Sequence, residues 1–105
     1  GIYMKEFLIS DNTDTLTGMR LAGVEGVVVH EKHEILEELK KAAESGEIGI
    51  LLITEILAEK VPEEIKRMKL SKKPPIVIEI PDRHGVRRPP DFLTRYIKEA
   101  IGISI

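Results

Sequence analysis

Four short apolar runs set the strongest constraint on what this chain can fold into: Phe7-Leu8-Ile9, Val27-Val28-Val29, Ile48 to Ile53, and Ile76-Val77-Ile78 continuing to Ile80. They are continuous rather than alternating, and many of their residues are β-branched. That pattern suits strands buried on both faces of a parallel sheet. Parallel strands need crossovers, and the stretches between the runs carry helical spacing: Thr13 to Ala22, Glu31 to Ser45, Thr54 to Leu70 with a break at Pro62, and Asp91 to Ile101. In the second stretch Ile35, Leu36, Leu39, Ala42 and Ala43 form one stripe. Glu37, Glu38, Lys40 and Lys41 lie opposite, and Gly46 supplies a left-handed stop. The first helix is expected to begin at Asp11 or Thr13 as N-cap, bury Leu16 and Met19, and end at Gly23.

Right-handed crossovers and the usual doubly wound order give an α/β fold. Its expected form is a four-stranded parallel sheet in the order 2-1-3-4, a flavodoxin- or receiver-like three-layer sandwich with a C-terminal amphipathic helix. The fifth strand of the common five-stranded order has no counterpart, so strand four becomes an edge that a helix, a loop or a partner must cover. The chain divides into a globular α/β domain over residues 1–82, and a loop with the C-terminal helix over 83–105. With 105 residues, a second full domain is excluded.

Composition narrows the function classes. A net charge of -2 from interspersed acids and bases lacks the basic footprint of a nucleic-acid binder. No apolar run approaches the ~20 residues that span a bilayer, so direct membrane insertion is not expected. No secretory signal precedes the first strand, and Gly1 to Tyr3 read as a short leader before Met4 in a cytoplasmic protein. The absence of cysteine excludes disulfides, thiolate nucleophiles and Cys-ligated metals. Gln is missing, Asn12 is the sole Asn, and Glu and Lys dominate the charged set, a bias of heat-adapted proteins. The expected melting temperature is therefore above the mesophile range of roughly 45–65 °C, and a calorimetric midpoint inside that range would count against heat adaptation.

Sites on open parallel sheets form at the C-terminal strand ends, here Ser10 to Thr13, His30 to His33, Thr54-Glu55 and Pro81 to Arg88. A receiver domain needs an aspartate after its third strand, where this chain has Thr54-Glu55; Asp11 reads as a helix cap. Gly18 and Gly23 have P-loop spacing, yet Val24 and Glu25 replace the Lys and Ser or Thr that hold phosphate and magnesium. These glycines, with Gly26, read as backbone requirements of the turn. His30 and His33 stand three apart, whereas a zincin helix needs four, and they read as a solvated helix start. Ser10, Ser45, Ser71 and Ser104 lie in no nucleophile-elbow context. No catalytic residue, cofactor-binding residue or metal ligand is therefore assigned, and no cofactor is expected.

Two C-terminal features remain. Arg83, Arg87 and Arg88 belong to a basic, proline-flanked loop that either grips an acidic surface or simply connects strand to helix. Phe92, Leu93, Tyr96, Ile97, Ala100 and Ile101 form an apolar stripe, with Thr94, Arg95, Lys98 and Glu99 opposite. The stripe fits a helix packed on its own sheet or in a partner's groove, and its two aromatics are common interface anchors.

The ordered set Arg20-Leu21-Ala22-Gly23, Gly26-Val27, Leu52-Ile53-Thr54-Glu55, Pro75 to Asp82 and Tyr96 to Gly102 resembles the F subunit of archaeal and bacterial V/A-type ATP synthases, from Met4 onward. The basic residues within Arg83 to Arg88 depart from the family pattern. The resemblance implies a non-catalytic central-stalk protein that binds the coiled-coil D subunit and rotates with it inside the catalytic A/B hexamer, near the stalk-to-ring connector. It would help couple ATP synthesis or hydrolysis to proton or sodium transport, at the cytoplasmic side of the membrane. The family's C-terminal helix is held to be mobile, and here corresponds to Asp91 to Gly102. The alternative is a receiver-like signalling or interaction domain without a working phospho-acceptor.

Overall fold

A computed structural model describes residues 5–81 of the chain. The elements run β1 (Lys5–Ser10), α1 (Thr13–Leu21), β2 (Glu25–Val28), α2 (Lys32–Ser45), β3 (Ile48–Thr54), α3 (Glu55–Lys60), α4 (Pro62–Leu70) and β4 (Ile76–Ile80). The four strands form one sheet in the order β2-β1-β3-β4, with every pairing parallel. This is the expected α/β topology. The C-terminal helix expected over Asp91 to Ile101 lies outside the described residues.

Adjacent strand residues point to opposite faces, and the sheet accordingly separates two cores. Ile9, Leu51, Ile53 and Val77 face a large cluster with Ile35, Leu39 and Ala42 of α2, Leu57 and Ala58 of α3, and Ile65 of α4. Leu8, Leu52 and Ile80 face the other way, in a cluster with Leu16 and Met19 of α1 and with Val24. Helices therefore cover both faces, in three layers. Strand β3, with neighbours on each side, buries five of its seven residues, which is what its unbroken apolar sequence demands.

Strand β2 departs from the expectation of burial on both faces. None of its four residues is fully buried, because it has a sheet neighbour on one side only. At Gly26 the neighbour comes very close: a Cβ there would lie 2.4 Å from the Leu8 carbonyl oxygen. Gly26 is thus required by inter-strand packing, whereas Gly23 serves the turn conformation, at φ 88°. A further irregularity, between Lys5 and Glu6, shifts the β1–β3 register so that Lys5 pairs with Ile48 and Glu6 with Ile50, passing over Gly49.

The helix limits follow local chemistry. Helix α1 starts from Asn12, not from Asp11 or Thr13; the Asn12 carboxamide oxygen accepts the N–H groups of Asp14 at 2.7 Å and Thr15 at 3.2 Å. Replacing Asn12 with alanine should cost about 1 kcal/mol, read as a lower urea midpoint at unchanged m-value. Gly46 ends α2 in the left-handed region at φ 71°, as its sequence position suggested. The stripe of α2 is narrower than expected, since Ala43 is exposed while Ile35, Leu39 and Ala42 are buried. The expected break at Pro62 is present: α3 ends at Lys60, and Pro62 opens α4 where its missing N–H costs no helical bond.

Candidate functional site

The C-terminal strand ends bring together Ser10, Asp11, Asn12, His30, Thr54 and Glu55, the positions where an open parallel sheet would hold a ligand. The Ser10, Asp11, Asn12 and Thr54 side chains and the His30 backbone are engaged in shaping the chain. Ser10, fully buried, accepts the Asn12 N–H at 2.9 Å and donates its hydroxyl to the Asn12 carbonyl at 3.0 Å. This turn sets up the Asn12 cap. Thr54 is also fully buried and donates its hydroxyl to an Asp11 carboxylate oxygen at 3.0 Å. Asp11 is therefore not the cap; it ties the β1–α1 turn to the end of β3, a contact between residues 43 positions apart. In a receiver the position of Thr54 would carry a phospho-accepting carboxylate, and here it is a buried hydroxyl.

At the neighbouring strand end, Lys60 Nζ of α3 donates to the His30 carbonyl at 2.8 Å, which fastens the β2–α2 turn to the adjacent helix. The Glu34 carboxylate accepts the N–H groups of Glu31 at 2.9 Å and His30 at 3.2 Å. It thus reaches back over the N-terminus of α2, as in a capping box. His30 and His33 are both exposed, matching the reading of a solvated helix start. Among the described residues no group of three or more His, Cys, Asp and Glu side chains is placed to hold a metal ion.

Glu34 is held below the ordinary carboxyl value of 4.5, first by the Glu31 N–H, then by the His30 N–H, with smaller help from the charges of His33 and His30. A pKa lowered by folding means that the ionised carboxylate favours the folded state. That contribution is fully present above the unfolded pKa and is lost as pH falls through the lower folded value. Glu34→Gln should therefore lower the melting temperature slightly at pH 7, and the difference from wild type should shrink as pH falls below the ordinary carboxyl value of 4.5. A pH-independent difference would show that shape, not charge, matters at this position.

The interface residues expected from the sequence, Arg83, Arg87, Arg88, Phe92, Leu93, Tyr96, Ile97, Ala100 and Ile101, all lie outside the described residues. The Asp11–Thr54 tie was missed by sequence reasoning. Its only signal was one acidic and one hydroxyl residue, each at the end of an apolar run.

Residues 7–97 match the family model described as ATP synthase (F/14-kDa) subunit. Among curated proteins, the F subunit of the A-type ATP synthase of Thermococcus kodakarensis is 36% identical over 107 aligned residues, covering 97% of this chain and 98% of that protein. The Pyrococcus abyssi protein of the same name is 35% identical with the same coverage. That of Methanothermobacter thermautotrophicus is 37% identical, over 88% of each chain. A model match spanning both cores of the sheet, joined by relatives above 30% identity along nearly the whole length, establishes that the chain belongs to the family of ATP synthase (F/14-kDa) subunits.

Proposed function

We propose that the chain is a non-catalytic central-stalk component of a V/A-type ATP synthase. It binds the coiled-coil D subunit, turns with it inside the catalytic A/B hexamer, and helps couple ATP synthesis or hydrolysis to proton or sodium transport. The observation that carries this reading is family membership along almost the entire chain, with relatives named as the F subunit of A-type ATP synthases. The strand-end geometry is consistent with an accessory role, since the described polar groups there serve as turn, cap and tie. The protein would sit peripherally on the cytoplasmic side of the membrane-bound complex, beside the connector to the ring. No helix among the described residues is long and apolar enough to cross a membrane.

The interface is assigned to residues 83–105: Arg83, Arg87 and Arg88 for acidic contacts, and the stripe Phe92, Leu93, Tyr96, Ile97, Ala100 and Ile101 for a helical groove. A helix of this kind can exchange one apolar surface for another at small net free energy, which is the requirement for a mobile regulatory element. Co-expression with the same organism's D subunit, followed by size-exclusion chromatography with light scattering, tests the reading. A 1:1 complex is expected, and truncation before Asp91 should weaken it. Failure of the full-length pair to associate would remove the stalk reading. Association unaffected by truncation would move the interface to the α/β body.

A further inference from the structure

We draw no further inference here: the strongest candidate, the exposed apolar surface at Ile76 where edge strand β4 begins on the α1 side of the sheet, is unpartnered, and nothing among the described residues shows what covers it.

Discussion

Replacing Gly26 with alanine is expected to destabilise the domain by about 3 kcal/mol or more, at the upper end of overpacking penalties. The added methyl would stand 2.4 Å from the Leu8 carbonyl oxygen, 2.8 Å from Leu8 Cβ and 3.1 Å from a Leu16 methyl. The first two contacts involve the partner residue in the β1–β2 register, which cannot move without disturbing the ladder. Leu8 is fully buried, so its displacement would also open the core beneath α1. Gly23→Ala provides the comparison, because nothing lies within 4 Å of that added methyl and only its positive φ is unfavourable. Its cost should be about 1–2 kcal/mol. Urea titration of both variants decides the matter: equal midpoints would show that β2 adjusts its position easily and that the close approach at Gly26 is not a constraint.

A loss of about 2–5 kcal/mol is expected for Leu51→Ala, within the usual cost of emptying a leucine site in a core. Leu51 is fully buried on central strand β3, in the cluster to which α2, α3 and α4 all contribute. With helices packed over it and strands on either side, the site has little freedom to collapse. Ile76→Ala removes as much carbon, but from an exposed position, and should change stability by less than about 0.5 kcal/mol, since Ile76 is 65% exposed. A thermal or chemical melt of the two variants separates core from surface. An Ile76→Ala cost approaching that of Leu51→Ala would mean that the β4 edge contributes to the fold despite its exposure.

Much of the fold was legible because the signals were local. Unbroken runs of Ile, Val and Leu specified strands, the 3.6-residue stripe of α2 specified a helix, and Gly46 and Pro62 marked boundaries that the backbone respects. The cap of α1 was misread by one residue. Asp11, Asn12 and Thr13 are all competent N-cap types, and the choice among them depends on Thr54, which draws the Asp11 carboxylate across to β3 and leaves Asn12 to bond the helix. The burial of β2 was overestimated because Val27 and Val28 carry no mark of whether a neighbouring strand lies on one side or both; Val29, just past the strand, is buried as expected. The interface expected over residues 83–101 falls beyond residue 81, outside the described part of the chain.

The sequence by itself determined the parallel α/β class, the strand order through crossover handedness and run count, and the family, because each depends on residue type and spacing along the chain. Only the tertiary structure decided which glycine is required by packing, and which polar side chain caps and which one ties two strands. The physical reason is the same in each case. A close approach at 2.4 Å or a bond between Thr54 and Asp11 is set by what the fold brings alongside a residue, and residues distant in sequence have no fixed spacing from which that could be read.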